Sequence, residues 1–335
     1  AASLLSLAAI ISSEREAHGR LPNIRSTSSD SIYKGLTTVD KTTTTGGLLY
    51  GLGDNRRALG LLANVTVDGK ISETGYYEMG DKLELVRKDD AETAGLIRSK
   101  FAIPQQVVSI ENSSVLIVDD LGRRWRLPLG DKAYTSLTNE GQLRICREVA
   151  TERDLFSCMG TFYELPAENA DGYAKIRPVS THNYRINDYA SYRGMLVLTG
   201  VNPEEGKDNE HVIVSNDGKA AVWVGVIDDL WQLGKPIGKG GPWKDTSVKT
   251  GIPSDPYLIG FYDRKKLTLS HQSTDDITFT IEADPTGNGD WMEYMVRKVK
   301  AGEKWTYEFP AEFQARWIRF STDVDTKATA WLEYK

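Results

Sequence analysis

Thirteen consecutive residues near the middle of the sequence combine the side-chain types that acid–base chemistry on a carbohydrate requires. They are Arg177-Pro178-Val179-Ser180-Thr181-His182-Asn183-Tyr184-Arg185-Ile186-Asn187-Asp188-Tyr189. Histidine titrates near neutral pH, a tyrosine hydroxyl can donate a proton, and arginine neutralises a carboxylate. The combination suits a lyase or hydrolase of an acidic sugar. The alternative interpretation is a polar hairpin whose side chains satisfy its own backbone.

On the enzymatic interpretation, each of these side chains has a role. His182 is the acid or base, and Tyr184 or Tyr189 is its partner. Arg185 holds the carboxylate of a uronate. Three residues of the stretch are also candidates for substrate binding: Asn183, Asp188 and Tyr189.

A second stretch, residues 226–245, places two carboxylates beside a glycine- and proline-rich segment. Asp228 and Asp229 are competing acid–base candidates, and they follow a predicted strand. Loops held by rigid sheets often bind ligands, and tryptophan faces stack on sugar rings. The sugar-binding candidates here are Trp231, Lys235, Trp243, Lys244 and Asp245. The alternative is a structural turn whose tryptophans fill the core.

The two adjacent aspartates are not expected to form a hydrolytic pair. Glycosidases need two carboxyl groups placed across the scissile bond. Adjacent residues on one strand point to opposite faces, so Asp228 and Asp229 cannot both face one substrate. Hydrolysis would need a partner from elsewhere, such as Asp188 or Asp245.

The remaining chemistry-bearing residues predict no metal and no other cofactor. His18 lies in a polar segment, while His211 and His271 lie in strand patterns. No histidine pair has metal-ligand spacing, and no Gly-x-Ser-x-Gly elbow occurs. Residues 284–290 resemble a loose calcium loop but depart from the EF-hand pattern, so a hairpin turn is favoured.

The two cysteines leave the redox state open. Cys146 and Cys158 flank a short polar turn at residues 148–154, and their spacing fits no zinc site. A hairpin disulfide and two buried thiols are both compatible with this spacing.

Composition excludes several classes of protein. The 335 residues are 40% hydrophobic and 26% charged, which is a globular rather than a disordered mixture. A net charge of -6 argues against a nucleic-acid partner, which normally requires a basic face. No apolar run approaches the roughly 18 residues of a membrane span.

The elements that must position these residues are almost all strands. Apolar residues alternate over 59–67, which end at the Asp68-Gly69 turn, and short strands then recur with turns every eight to twelve residues. Residues 2–17 instead predict a helix, with the remnant of a signal peptide as the alternative. Residues 18–46 predict a lead-in loop.

An internal repeat favours a β-propeller over a sandwich or a barrel. Gly122-Arg123-Arg124-Trp125-Arg126-Leu127-Pro128 and Gly160-Thr161-Phe162-Tyr163-Glu164-Leu165-Pro166 share Gly-x-x-aromatic-x-Leu-Pro at a spacing of 38 residues. Repeats of this length built from hairpins are typical of propeller blades. The predicted fold is all-β, with antiparallel blades over 47–250, after a helix and lead-in loop over 1–46. Residues 251–335 are the final blades or a β-sandwich lid.

The C-terminal half also resembles a known group of proteins. The residues that carry the resemblance are Thr181-His182-Asn183 with Arg185, Asp228-Asp229-Leu230-Trp231 to Trp243-Lys244-Asp245, Asp255-Pro256-Tyr257, and Phe313-Gln314-Ala315-Arg316-Trp317-Ile318-Arg319. Residues 160–335 look like the C-terminal part of exported β-propeller proteins of polysaccharide-degrading Bacteroidetes. By fold the chain is similar to propeller α-L-rhamnosidases and propeller polysaccharide lyases.

The resemblance implies a secreted or periplasmic protein that acts on plant or algal polysaccharide, as an exo-glycosidase or a polysaccharide lyase. The alternative is a non-catalytic glycan-binding or scaffold propeller. Convergence of His182, Arg185 and residues 228–245 in one pocket would favour the enzyme. A separate, flat tryptophan surface would favour the binding module.

Overall fold

The computed structural model describes residues 32–53, 57–99, 108–131, 145–148, 153–167 and 170–335. The predicted N-terminal helix over 2–17 lies outside the described residues, as do residues 18–31 of the predicted lead-in loop. The last residues of that predicted loop, 43–46, belong instead to the first strand. The described chain is mostly β-sheet, as the alternating pattern predicts. No sheet within these ranges closes on itself.

The first sheet is a four-stranded antiparallel meander in chain order. Its strands are β1 (Thr43–Leu52), β2 (Ala58–Val67), β3 (Lys70–Met79) and β4 (Leu85–Lys88). A helix, α1 (Ala91–Ser99), follows and packs Ile97 beneath the sheet. The chain then forms three further antiparallel strands, β5 (Val108–Ile110), β6 (Val115–Val118) and β7 (Arg124–Leu127).

Two more four-stranded sheets come next. The second sheet is a meander of β8 (Ile145–Glu148), β9 (Arg153–Cys158), β10 (Thr161–Pro166) and β11 (Arg177–Thr181). The third contains β12 (Tyr189–Tyr192), β13 (Met195–Leu198), β14 (Val212–Val214) and β15 (Ala221–Gly225) in the spatial order β12-β13-β15-β14. A short helix, α2 (Pro203–Gly206), lies between β13 and β14.

The C-terminal third forms two sheets around one hydrophobic core. It supplies β16 (Gly238–Val248), β17 (Tyr257–Leu258), β18 (Lys265–His271), β19 (Ile277–Asp284), β20 (Met292–Val299), β21 (Trp305–Glu308), β22 (Trp317–Thr322) and β23 (Thr326–Tyr334). One sheet has the order β16-β23-β18-β21. The other has the order β20-β19-β22-β17-β7-β6-β5, because β17 pairs in parallel with β7.

The second sheet packs against a hydrophobic core on each of its faces. Leu155 and Phe162 face the core shared with the first and third sheets. Their neighbours Phe156 and Tyr163 face the core shared with the C-terminal sheets. Successive side chains on a strand alternate between faces, so one strand serves both cores. The edge strand β11 therefore lies where the two halves of the molecule meet.

The strand predictions are confirmed for most of the described chain. The predicted strand over 59–67 is β2, short antiparallel strands follow it, and the two copies of the repeat fall at equivalent places. Each repeat begins at the hairpin turn before the third strand of an antiparallel array, β7 or β10. The repeat aromatics, Trp125 and Tyr163, are both buried.

Two local predictions were wrong. Helix α1 was not predicted, although Asp90 caps it by accepting hydrogen bonds from the backbone and hydroxyl of Thr93. Residues 228–245 are not one irregular loop, because their second half is β16. The glycines there permit close backbone approach: a Cβ at Gly241 would lie 1.8 Å from the carbonyl oxygen of Ala330 in β23.

The register of the strands excludes the hairpin disulfide between the two cysteines. In the hairpin of β8 and β9, Cys146 lies opposite Leu155 rather than Cys158. Three residues along a strand correspond to about 10 Å, which is too far for a disulfide. Cys158 is a free, buried thiol.

Candidate functional site

A charged pair lies at the edge of the middle sheet. Glu164 of β10 and Arg177 of β11 are direct cross-strand partners. The Nε of Arg177 donates to Oε2 of Glu164 at 2.6 Å, with side-chain exposures of 34% for the arginine and 17% for the glutamate. Opposite charges at directly paired strand positions stabilise each other. The ion pair fixes the guanidinium at the margin of the sheet, where solvent reaches it.

Trp231 lies on one side of this arginine. It belongs to a 3₁₀ helix, Ile227–Gln232, whose first turn is closed by a hydrogen bond from the Val226 amide to the Asp229 carboxylate at 2.9 Å. Half of the Trp231 side chain is exposed, and the Arg177 guanidinium lies 5.5 Å from the centre of its ring. This distance is typical of a cation–π contact.

Phe261 is the second aromatic residue near Arg177, whose guanidinium is 6.0 Å from the centre of the phenyl ring. The Phe261 side chain is 44% exposed, and its backbone has φ of 69°. A bulky residue in the left-handed region is uncommon and is conformationally costly. The fold therefore holds an apolar ring in solvent at the expense of backbone strain.

An ion pair and a hydroxyl fasten the two segments that carry the aromatic rings. The Lys235 ammonium contacts the Asp263 carboxylate at 2.5 Å, which joins the segment after Trp231 to the turn that contains Phe261. On the edge strand, the Thr181 hydroxyl accepts a hydrogen bond from the Ile237 amide at 3.0 Å. The ion pair thus links the segments that carry the two rings, and the hydroxyl links the segment after Trp231 to β11.

Together these residues form an amphipathic recognition surface, which we define as Glu164, Arg177, Trp231, Phe261 and Arg316. The Arg316 guanidinium lies 5.0 Å from the Phe261 ring. Aromatic faces bind the apolar faces of sugar rings, while charged side chains bind hydroxyl and carboxylate oxygens. The surface thus places aromatic rings and charged groups side by side.

The structure places His182 inside the protein. Its side chain is 8% exposed, and its ring packs between Phe162 at 5.2 Å and Tyr184 at 6.3 Å. Its Nδ1 accepts a hydrogen bond from the Tyr184 amide at 3.2 Å. Burial lowers the pKa of His182 to about 4. The Tyr184 ring is partly buried and also contacts Tyr33, and Asn183 is exposed.

Arg185, Asp188 and Tyr189 make contacts that connect sheets. The Arg185 guanidinium donates to the carbonyl of Val39 at 3.1 Å. The fully buried Asp188 carboxylate accepts from the Leu49 amide at 2.7 Å and from the Tyr189 amide at 2.8 Å. The Tyr189 hydroxyl donates to a carbonyl of β9 at 2.8 Å. Arg185 therefore makes hydrogen bonds with the segment of residues 37–39.

The 228–245 candidates separate into two groups. Asp228 is exposed and Asp229 caps the 3₁₀ helix, so both belong to a helical turn rather than to a strand. Trp243 is 6% exposed and packs on Phe320 in the C-terminal core, where its faces are covered. Lys244 and Asp245 also belong to this second group. The Lys244 ammonium lies 5.2 Å from the Trp331 ring, and the Asp245 carboxylate accepts a hydrogen bond from the Gln272 amide at 3.3 Å.

The two predicted stretches do meet, but at different residues from those expected. Arg177 contacts Trp231, and Thr181 contacts Ile237, whereas His182 packs on Phe162 of the core shared with the first and third sheets. Sequence reasoning missed Glu164, Phe261 and Arg316. No sequence pattern indicates that they converge, because the cross-strand register and the turn at 259–264 bring them together.

The described residues contain no group of three His, Cys, Asp or Glu side chains placed to hold a metal ion. Residues 284–290 form the turn between β19 and β20. The Asp284 carboxylate there accepts hydrogen bonds from the amides of Thr286, Gly287 and Gly289. Within the described ranges, the helices are all too short or too polar to cross a membrane.

Comparisons with known proteins give distant similarities. No family model and no curated protein sequence matches the chain. A GH32 β-fructofuranosidase of Bombyx mori aligns over 86% of this chain and 78% of its own, with 10% identity and a TM-score of 0.20. A GH43 arabinoxylan arabinofuranohydrolase of Bacillus subtilis, in complex with cellotetraose, aligns over 88% and 79%, with 12% identity and a TM-score of 0.20. Superposition at this level does not establish a shared fold.

Proposed function

We propose that this protein binds carbohydrate at the recognition surface. The observation that carries the proposal is the pair of half-exposed rings, Trp231 and Phe261, whose centres lie 5.5 and 6.0 Å from the Arg177 guanidinium. An aromatic side chain left in solvent loses the stabilisation of roughly 1.5–3 kcal/mol that burial would supply. Two such rings, one of them on a strained backbone, are better explained by a ligand than by folding.

Binding assays on four variants test this proposal. Isothermal titration calorimetry against a panel of plant and algal oligosaccharides is compared for wild type, Trp231→Ala, Phe261→Ala and the double variant. Each single loss is expected to weaken binding at least tenfold, about 1.4 kcal/mol. Trp331→Ala is the matched control, because it removes a tryptophan that contacts a cation on another sheet. Unchanged affinity in the double variant would refute the proposal.

A second candidate function is catalysis on the bound carbohydrate, as an exo-glycosidase or a polysaccharide lyase. One observation favours it. Asp228 and Trp231 are three residues apart in a 3₁₀ helix, where side chains at this spacing lie on one face. An exposed carboxylate therefore lies on the same side as the tryptophan. His182, Tyr184, Arg185 and Asp229 remain the other proposed catalytic residues.

Turnover assays separate the two functions. Reducing ends and the absorbance of unsaturated uronate are followed on acidic and neutral polysaccharides for wild type, Asp228→Asn and His182→Ala. Turnover that Asp228→Asn abolishes, with binding retained, supports catalysis. Binding without turnover on any substrate of the panel would support a binding function without catalysis.

The propeller architecture and export from the cytoplasm belong to the same proposal. The equivalent positions of the two repeats in successive antiparallel arrays support blades. The order β12-β13-β15-β14 departs from a simple blade meander. An experimental structure of the whole chain tests the architecture: sheets radiating from one axis would support it, and sheets stacked in layers would refute it.

A further inference from the structure

The recognition surface contains two arginines that approach the same aromatic ring. The guanidinium of Arg316 lies 5.0 Å from the centre of the Phe261 ring, and that of Arg177 lies 6.0 Å from it. Two like charges this close repel each other across a partly desolvated space. Accordingly, burial and then the charge of Arg177 lower the pKa of Arg316, while Asp284 acts in the opposite sense.

The carboxylates near the pair already accept hydrogen bonds. One oxygen of Glu164 accepts from Arg177 at 2.6 Å. The Asp284 carboxylate accepts from three backbone amides of its own turn. The neighbouring Lys175 ammonium donates to the Thr286 carbonyl at 2.7 Å and also contacts Asn288. Arg177 is therefore paired with a carboxylate, whereas the hydrogen bonds of the Asp284 carboxylate are made within its own turn.

The position of Arg316 is set by the backbone around it. Its Nη1 donates to the carbonyls of Lys175 and Ile176 at 2.6 and 3.1 Å. A Cβ at Gly287, where φ is 75°, would lie 2.7 Å from Cδ of Arg316 and 2.4 Å from the Ala174 carbonyl oxygen. Only glycine fits in this gap. The second guanidinium is thus held in place before any ligand binds.

We propose that Arg177 and Arg316 form a subsite for an anionic substituent on a sugar, either a uronate carboxylate or a sulfate ester. The planar guanidinium fork matches the oxygen geometry of such groups. Phe261 and Trp231 would contact the sugar ring that carries the charge. The anion would offset the repulsion between the two arginines. This proposal rests on the proposed function and assigns its substrate class.

Matched ligands that differ only in charge test the subsite. Calorimetry compares an oligogalacturonide with its fully methyl-esterified form, and a sulfated galactan oligosaccharide with its desulfated form. Wild type is expected to prefer one or both charged members by at least about tenfold. The pair that shows the preference identifies the carboxylate or the sulfate ester as the ligand.

Variants locate the preference at this subsite. In Arg177→Gln the charged and neutral members are expected to bind within about twofold of each other, while Arg177→Lys retains part of the preference. Arg316→Lys is the second variant, since loss of Arg316 would also remove the contact with Lys175. Lys249→Gln is the control for a lost positive charge, because this exposed lysine pairs with Asp325 rather than with a residue of the recognition surface, and it should retain the full preference.

The outcomes distinguish the anionic subsite from the carbohydrate-binding function on which it rests. Equal binding of charged and neutral members by wild type would overturn the anionic subsite and leave the carbohydrate surface intact. A preference that survives in both Arg177→Gln and Arg316→Lys would place the anion elsewhere and would also overturn it. Absence of binding to every oligosaccharide would overturn the proposed function itself.

Discussion

The buried imidazole of His182 is expected to make the protein less stable as the pH falls from 7.5 to 5.0. Burial lowers the pKa of His182 to about 4, whereas a histidine in the unfolded chain titrates near 6.5. Between these values the unfolded state binds a proton that the folded state does not. Stability is therefore complete above about pH 6.5 and is lost progressively down to about pH 4.

The size of the effect follows from the two pKa values. The two pKa values differ by about 2.5, which corresponds to a loss of roughly 3 kcal/mol in the free energy of unfolding once the pH is below both values. At pH 5.0, about 2 kcal/mol of this is already lost relative to pH 7.5. The ring is 8% exposed, so solvent screening reduces this value little. A change of 2 kcal/mol is a large fraction of the stability of an ordinary domain.

The assay is urea unfolding at pH 7.5 and 5.0 for wild type and His182→Asn. Asparagine does not titrate, and its Oδ1 can accept the hydrogen bond that the Tyr184 amide donates to Nδ1. Other groups titrate equally in both proteins, so the difference between their pH dependences isolates His182. Wild type should lose about 2 kcal/mol more than the variant. Parallel losses would refute a buried, neutral His182.

Three further predictions concern other parts of the molecule. Asp188→Asn should lower the free energy of unfolding by about 2 kcal/mol, because two buried amides donate hydrogen bonds to its carboxylate. Asp228→Asn on the surface should change this free energy little, and equal effects of the two variants in urea unfolding would contradict the prediction. Cys158, whose thiol pKa is raised by burial, should resist maleimide in the native protein and react in urea, as peptide mass spectrometry can show; rapid native labelling would be inconsistent with its burial. Lys235→Gln should weaken oligosaccharide binding several-fold with little change in Tm, because an exposed ion pair with Asp263 stabilises folding by at most about 1 kcal/mol; a large drop in Tm would assign the pair a folding role instead.

The local sequence pattern was sufficient to predict the strands, but it was not sufficient to predict how they pack against one another. Alternating apolar residues and turn residues identify a strand without knowledge of its partners, so the segment 59–67 was predicted closely. The two repeats were informative for the same reason, because a glycine turn and an inward aromatic are local requirements. Helix α1 was missed because its apolar residues are few and its cap is a single aspartate.

The site was predicted only in part because it depends on contacts between distant segments. The stretch around His182 has the composition of an active site, but composition does not show which side chains face a core. His182 and Trp243 are both buried, although both could have been surface groups on sequence grounds. Phe261 lies in a short turn, and only its positive φ and its distance to Arg177 mark it.

Fluorine NMR of the protein labelled with 5-fluorotryptophan tests the central claim most directly. Trp231 is half-exposed, and its resonance can be assigned with Trp231→Phe. We expect this resonance to move saturably when an oligosaccharide that binds by calorimetry is added, while that of the control Trp331 stays in place. A bound oligosaccharide that leaves the Trp231 resonance unchanged, or moves both resonances equally, would contradict a carbohydrate site at this surface.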